Sequence, residues 1–289
     1  NSTFNKIADF TGSSFHDTAN FAKSFFNDVV DFRSSDLDGK VQFNDAQFNR
    51  NANFEDSDFH SYADFKNTRF GEGSSFLGEG ANFRDTLDLT GSNINDIYIR
   101  WGNIKKIAYD YKIYKILLDN YKKWSLLEDY NDCYFNFRLE LQKRQPYGIG
   151  MFLDFLQRIF YGYGTKPALP IIWSFIIMMF SALFYYITNG IQKSDNKKTP
   201  VIYAPGYHKP YKSLIDKIND ILFHKRDISL GEAFLFSATY FTSGASNLIS
   251  SQFTEFYPIG KSRYVAVLER LFGWVFFAFF LTALGNTIM

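Results

Sequence analysis

The feature that most constrains the fold is a run of apolar residues, all but one of them phenylalanine, spaced alternately by six and five positions. Its members are Phe4, Phe10, Phe15, Phe21, Phe26, Phe32, Leu37, Phe43, Phe48, Phe54, Phe59, Phe65, Phe70 and Phe76. An α-helix cannot gather them on one face, because successive rings would lie about 140° apart after a five-residue step. In an extended chain, residues i and i−2 point the same way, so each ring and the small residue before it can both face inward. The spacing therefore predicts a β-solenoid with coils about 4.8 Å apart.

The repeat unit consists of a small residue, then Asp or Asn, then Phe. Examples are Ala19-Asn20-Phe21, Ala52-Asn53-Phe54, Ala63-Asp64-Phe65 and Ala81-Asn82-Phe83. These triplets resemble the pentapeptide-repeat family, although an extra residue in every second repeat departs from a strict period of five. The resemblance implies a right-handed quadrilateral β-helix over residues 1–100, with Leu89, Ile94 and Ile99 in the last coil. A scaffold or oligomer wall is favoured over the DNA mimicry of some family members, because residues 1–100 carry a net charge of only −7.

Composition excludes several classes of function. A formal net charge of +1 argues against a strongly cationic nucleic-acid binder, and 20% aromatic residues argue against a disordered chain. The single cysteine, Cys133, excludes an intrachain disulfide framework and a multi-cysteine metal site. The four histidines show no ligand spacing, and no nucleophile–base pair or phosphate-binding loop is evident. We therefore expect no enzyme, no catalytic residue, no metal, no cofactor and no nucleic-acid partner.

After the solenoid, the apolar period becomes helical. Residues 101–146 predict a helical connector with helices at about 105–123 and 126–144, the second ended by Pro146. Residues 147–166 include an amphipathic stretch in which Asp154, Gln157 and Arg158 share one face. This pattern is typical of a helix in the membrane interface, and an ordinary core helix is the alternative.

Two segments are long and apolar enough to cross a bilayer. The first span is predicted at 168–188, where residues 168–187 contain no charge, and the second at 264–289. Glu269 and Arg270, near the start of the second span, are expected to be interfacial anchors. Lysines and arginines occur on both sides of the first span, so charge leaves the orientation open. Residues 167–289 as a whole are predicted to form a two-span membrane domain.

Between the spans lies a segment that is too short for a third crossing. Ser229 and Glu232 form a capping-box motif, which predicts the start of a helix over residues 229–241. A small polar run at 242–247 follows, and the chain then returns to the second span. This order predicts a re-entrant helix and loop, because irregular backbone at membrane depth is tolerated only beside protein or a water-filled cavity.

The sequence of residues 237–247, SATYFTSGASN, is similar to the filter region of two-transmembrane pore-loop channels of the potassium-channel superfamily. Residues 161–167 also resemble bacterial and archaeal members of that group that carry pentapeptide repeats. The resemblance implies a pore helix at 229–241 and a selectivity filter formed by Thr242, Ser243, Gly244, Ala245 and Ser246. Ser246 replaces the family's second glycine and Ala245 its tyrosine, which disfavours the usual column of carbonyls. We therefore expect passage of monovalent cations with weak or no potassium selectivity, while anion passage stays open.

Further positions follow from the same interpretation. Ala278, Thr282 and Asn286 are predicted to line the pore, Asn247 and Glu255 to lie at its outer mouth, and Gly273 and Gly285 to allow bending. Packing against a neighbouring helix is the alternative for the stripe on the second span and for the two glycines, and a solvated loop carboxylate is the alternative for Glu255. Two spans cannot enclose a pore, so identical subunits must form a ring, a homotetramer by family analogy or a homopentamer.

The expected location is the cell membrane of a prokaryote, with membrane lipid around the spans and the solenoid in the cytosol as an assembly or sensing module. The predicted fold is thus mixed, with a β-helix, a helical connector and an α-helical membrane domain. The alternative function is a membrane-anchored scaffold whose repeats bind a protein partner and which does not conduct ions.

Overall fold

The structure is a computed structural model that describes residues 2–193, 228–243 and 256–288. The chain divides into two compact units. One is built mainly from residues up to Asp154, and the other comprises Phe155–Asn286. Each unit is described separately below.

The first unit begins with strands of mostly two residues that repeat four to a coil. The strands are β1 Thr3–Phe4, β2 Ala8–Asp9, β3 Ser14–Phe15, β4 Ala19–Asn20, β5 Phe25–Phe26, β6 Val30–Asp31, β7 Asp36–Leu37, β8 Val41–Gln42, β9 Gln47–Phe48, β10 Ala52–Asn53, β11 Asp58–Phe59, β12 Ala63–Asp64, β13 Arg69–Phe70, β14 Ser75–Leu77, β15 Asn82–Asp88, β16 Asp96–Tyr98 and β17 Ile104–Ile107. A 3-10 turn at Trp101–Asn103 separates the last two.

Strands of successive coils pair in parallel, which confirms the predicted β-solenoid. In the first coils each residue pairs with the residue 22 positions later, as Thr3 does with Phe25. About five coils form in this way. The last pairing joins Leu87 of β15 to Ile107 of β17. Strand pairing therefore continues past the expected boundary at residue 100, and residues 104–107 form a strand where the start of a helix was expected.

The corners of the solenoid explain the Asp or Asn that precedes so many phenylalanines. The carboxylate of Asp9 accepts a hydrogen bond from the Thr11 backbone N–H at 3.0 Å, and Asn20 accepts one from Ala22 at the same distance. Each such Asp or Asn stabilises the turn that comes directly after the phenylalanine that follows it. The next residue takes a left-handed conformation in every five-residue step, at Gly12, Lys23, Ser34, Asp45, Asp56 and Asn67. Asp and Asn tolerate that conformation better than most residues do.

The interior of the solenoid consists of phenylalanine stacks, as the spacing predicted. Phe43 is fully buried, and its ring centroid lies 5.0 Å from those of both Phe21 and Phe65, one coil away on each side. Neighbouring stacks meet edge to face, as do Phe32 and Phe43 at 5.6 Å. Rings of one column therefore stack along the solenoid axis, and rings of adjacent columns fill the space between them.

Two helices, α1 (Tyr111–Lys123) and α2 (Leu127–Arg144), close the C-terminal end of the solenoid. Asp110 caps α1 by accepting hydrogen bonds from the backbone of Lys112 and Ile113. Buried residues of α1 belong to the same apolar core as the last coils, and Asn120 donates to the Ile97 carbonyl at 3.1 Å. The helices thus cover the core and satisfy a strand carbonyl that would otherwise lack a partner.

Helix α3 (Ile149–Tyr161) follows. Its Asp154 is buried and binds Arg138 of α2 within the first unit. Phe152 and Leu153 are more than half exposed. The polar side of this part of the helix therefore contacts protein, and the apolar side is left uncovered.

The second unit contains α4 (Ala168–Thr188), α5 (Leu230–Thr242) and α6 (Ser262–Ile288), together with a 3-10 turn at Gly162–Gly164. Two short antiparallel strands, β18 (Ile191–Lys193) and β19 (Phe256–Pro258), join the end of α4 to the start of α6. Residues 168–188 and 262–286 are helices long and apolar enough to cross a membrane, which agrees with the two predicted spans.

Candidate functional site

Helix α5 begins where the capping-box motif predicts. The Ser229 hydroxyl accepts a hydrogen bond from the Glu232 backbone N–H at 3.1 Å, and the Glu232 carboxylate accepts one from the Ser229 backbone at 2.7 Å. Two backbone donors of the first turn are thereby satisfied. The helix has 13 residues and ends at Thr242, one residue beyond the expected end.

Helix α5 runs alongside α4 from its end towards its middle. Near the start of α5, Ala233 packs in one buried cluster with Tyr185, which is close to the end of α4. Further along, Ser237 Oγ lies 2.9 Å from the carbonyl oxygen of Met178, at the centre of α4. A 13-residue helix is about 20 Å long, less than the roughly 30 Å of a hydrocarbon core. The middle of α5 therefore lies beside the middle of the first apolar helix.

The C-terminal end of α5 contacts the middle of α6. Gly273 is buried, and a Cβ placed there would lie 2.0 Å from the carbonyl oxygen of Phe241. This position is about 16 Å along α6 from its first residue. Only a glycine allows the two backbones to approach so closely, so Gly273 acts as a packing residue here. Its expected role in bending stays a prediction, as does that of Gly285, which has open space around it.

A buried carboxyl group joins the three helices. Glu269 of α6 is only 1% exposed. It accepts a hydrogen bond from the Tyr185 hydroxyl of α4 at 2.8 Å and lies within hydrogen-bonding distance of the Ser237 hydroxyl of α5. The expectation that Glu269 anchors the chain at the membrane interface was therefore wrong, because the side chain points into the protein. Arg270 does lie on the exposed side, with its guanidinium 5.4 Å from the ring centre of Tyr240.

Two of the predicted filter residues are described. The Thr242 hydroxyl donates to the Ala238 carbonyl at 2.7 Å, and the Ser243 hydroxyl donates to the Tyr240 carbonyl at 2.8 Å. In the single subunit, both hydroxyl groups thus donate hydrogen bonds to backbone carbonyls of α5. Gly244, Ala245, Ser246, Asn247 and Glu255 lie outside the described residues.

The predicted pore-lining stripe lies on α6. Ala278 and Thr282 are exposed, and Thr282 bonds within its own helix to the Ala278 carbonyl at 2.9 Å. The side of α6 that packs on the protein is a seam of buried residues at intervals of three, four and seven, namely Ser262, Ala266, Glu269, Gly273, Phe276 and Ala283. At 100° per residue, Ala278 and Thr282 lie opposite this seam. Asn286 instead approaches the 3-10 turn, where its side-chain nitrogen lies 3.4 Å from the Gly164 carbonyl oxygen.

The solenoid carries a grouping of polar residues that the sequence analysis missed. The ring of His60 lies 2.9 Å from Asp36, and the ring of His16 lies 2.9 Å from Asp38. Ligand atoms of Asp36, Asp38 and His60 lie within 4.8 Å of one another, and all three residues are exposed. Pairing of His60 with these two carboxylates already accounts for this arrangement, and the expected absence of a metal stays a prediction. The sequence feature that could have revealed this grouping is the 22-residue length of a coil, since His16, Asp38 and His60 follow one another at intervals of 22 positions.

Comparison with known proteins supports one part of the chain. Residues 32–78 match the family model described as pentapeptide repeats (9 copies). No curated protein and no solved structure matches the chain. The match lies within the solenoid and ends before α1, so it confirms the predicted pentapeptide repeats and says nothing about α4, α5 or α6.

Proposed function

We propose that the chain is one subunit of an oligomeric ion channel that passes monovalent cations with weak or no potassium selectivity. The observation that carries the proposal is the position of α5. A capped helix too short to cross a bilayer packs against two helices that are long enough, and it ends beside the middle of α6. A membrane anchor has no need of such a helix, whereas a re-entrant pore helix requires this arrangement.

The outer surfaces of the long helices support a membrane location. Large apolar side chains such as Phe180 (71% exposed), Ile171 (57%) and Leu271 (57%) project from α4 and α6 without cover. Apolar surface of this extent indicates contact with lipid or with another subunit. In the proposed ring, lipid covers part of this surface and identical subunits cover the rest, four by the family resemblance or five.

The end of α5 favours cations. The C-terminal end of a helix carries partial negative charge, and α5 ends at Thr242, the first residue of the proposed filter. Residues 237–255 contain no lysine or arginine. Passing ions would meet carbonyl oxygens and the hydroxyls of residues such as Thr242 and Ser243. Since Ala245 and Ser246 replace the residues that shape a potassium filter, we propose a wider, more hydrated filter at 242–246.

The arrangement of the chain supports a cytosolic solenoid. The 3-10 turn before α4 approaches the end of α6, while β18 and β19 join the opposite ends of the two helices. If α5 enters from the outer side, as in the resembling channels, the solenoid and α3 precede the inner end of α4. We propose a right-handed solenoid in the cytosol of a prokaryotic cell, with α3 in the inner membrane interface and its exposed Phe152 and Leu153 in lipid.

The test is a planar-bilayer recording of the purified full-length chain. We expect unitary currents, with a reversal potential near zero under potassium on one side and sodium on the other. Ser243→Phe should reduce or abolish the unitary current, because the side chain lies at the start of the proposed filter. Leu230→Phe enlarges an exposed residue at the other end of α5 and is the matched control.

Each contrary result has a definite meaning. Silence of the wild-type protein across voltages, pH values and ions would contradict the channel and favour the membrane-anchored scaffold. A strong preference for potassium would contradict the proposed filter alone. Equal loss of current in Ser243→Phe and Leu230→Phe would contradict the placement of the filter.

A further inference from the structure

The carboxyl group of Glu269 lies inside the second unit, where charge is unfavourable. It is buried among α4, α5 and α6, at the eighth residue of an apolar helix. Its polar neighbours are hydroxyl groups from Tyr185 and Ser181 of α4 and from Ser237 of α5. Within the described part of the chain, Glu269 forms no ion pair. A carboxylate in this position would be a buried negative charge without a counter-cation.

The hydrogen bonds of Ser237 bear on the protonation of Glu269. Ser237 Oγ lies 2.9 Å from the Met178 carbonyl oxygen and also contacts an oxygen of Glu269. A serine hydroxyl carries one proton and can donate only one hydrogen bond, while a carbonyl can only accept. If Ser237 donates to Met178, the proton between Ser237 and Glu269 must come from the carboxyl group. If Ser237 donates to Glu269 instead, the Met178 carbonyl loses this donor.

We propose that Glu269 is held as a neutral carboxylic acid whose proton completes a hydrogen-bonded chain across the three helices. The chain runs from the Glu269 hydroxyl to Ser237 Oγ and from the Ser237 hydroxyl to the Met178 carbonyl. The Tyr185 hydroxyl donates to the second carboxyl oxygen at 2.8 Å. In this arrangement the Glu269 carboxyl group, the Ser237 and Tyr185 hydroxyls and the Met178 carbonyl each have a partner, and no charge is buried.

The chain of hydrogen bonds makes Glu269 a positioning residue for α5. It fixes Ser237 against both long helices, and Ser237 lies six residues, or about 9 Å, before Ser243. Its effect on ion passage rests on the proposed channel function, since Ser243 is part of the proposed filter. The link between the helices does not depend on that function.

Glu269→Gln is the decisive variant, because an amide has the same shape, carries no charge and can donate and accept. We expect Glu269→Gln to keep the thermal midpoint of the purified chain in detergent and to keep the unitary current. Glu269→Ala removes the link, and Glu269→Asp shortens the side chain by one methylene and cannot reach both partners. Both should lower the midpoint by several degrees and reduce the current.

Infrared spectroscopy of the folded wild type gives a reading that needs no destabilised variant. We expect a C=O stretching band of a protonated carboxylic acid at neutral pH, and its loss in Glu269→Gln. Absence of that band in the wild type would overturn the proposal, and so would a Glu269→Gln protein as unstable as Glu269→Ala. If the wild type carries no current while the band and the stabilities behave as expected, the channel function fails and the positioning role stands.

Discussion

Substitution of Gly273 tests the contact between α5 and α6, on which the proposed pore depends. A Cβ at this position would lie 2.0 Å from the Phe241 carbonyl oxygen, whereas ordinary van der Waals contact begins at 3.4 Å. In Gly273→Ala the two helices must therefore separate by about 1.4 Å at this point, which is close to the radius of a water molecule. Because Phe241 directly precedes Thr242, the displacement should reach the start of the proposed filter.

The expected change in stability has a definite sign relative to a control within the same helix. Replacing glycine by alanine in a helix stabilises it by about 1 kcal/mol when space is free. At Gly285 an added methyl group would meet no atom within 4 Å, so Gly285→Ala should show this gain. Overpacking at Gly273 costs about 1–3 kcal/mol. We expect Gly273→Ala to be less stable than Gly285→Ala by roughly that amount.

Two measurements on the full-length protein decide the matter. Thermal unfolding in detergent should rank Gly285→Ala above Gly273→Ala, and bilayer recordings should show a changed unitary current only in Gly273→Ala. The reasoning fails if the two variants unfold at the same temperature. A change confined to the opening probability of Gly285→Ala would instead support bending at that residue.

Two further predictions concern the solenoid. Phe43→Ala should lower the free energy of unfolding by about 3–5 kcal/mol, because the ring is fully buried between two others. The rate of amide hydrogen exchange in the adjacent coils should then rise about 100-fold or more. Phe25→Ala, at a ring that is 46% exposed, should leave the exchange rate nearly unchanged, and equal effects of the two substitutions would refute the assignment of the core. The hydrogen bond and charge of Asp38 raise the pKa of His16 above its ordinary value of 6.5. The contribution of this pair to the stability of the fold is therefore complete below pH 6.5 and is lost as the pH rises through the raised pKa. Asp38→Asn should lower the titration midpoint of His16 measured by proton NMR, and an unchanged midpoint would contradict the pairing.

The solenoid could be predicted because its information is local and repeated. Successive coils repeat a small or β-branched residue two positions before an apolar residue that is nearly always phenylalanine, so the period alone places the rings inside. The last strand, β17, could not be predicted, because it depends on a partner that is distant in sequence. Lys105 and Lys106 are exposed in β17, and only pairing with β15, about 20 residues earlier, makes this segment a strand. A distant partner thus overrides a local sequence that is also compatible with a helix.

In the candidate site, too, the features encoded by neighbouring residues could be predicted and those that depend on distant residues could not. The start of α5 could be predicted from Ser229 and Glu232, which are three residues apart and satisfy each other. The partners of Glu269 could not, because Tyr185 and Ser237 lie 84 and 32 positions away in sequence. A charged residue near the end of an apolar span usually faces the interface. Here the packing of three helices, which no local pattern encodes, turns it inward.

The uniform stacking of the coils has a consequence for how such a chain can vary over evolutionary time. Since residues 22 positions apart pair one above the other, duplication or loss of one 22-residue block in the first coils would preserve the register of backbone pairing between neighbouring coils. Each added block would lengthen the rod by about 4.8 Å without changing its cross-section. The N-terminal part of the protein can therefore serve as an adjustable spacer, with its reach set in discrete steps by the number of blocks the gene carries.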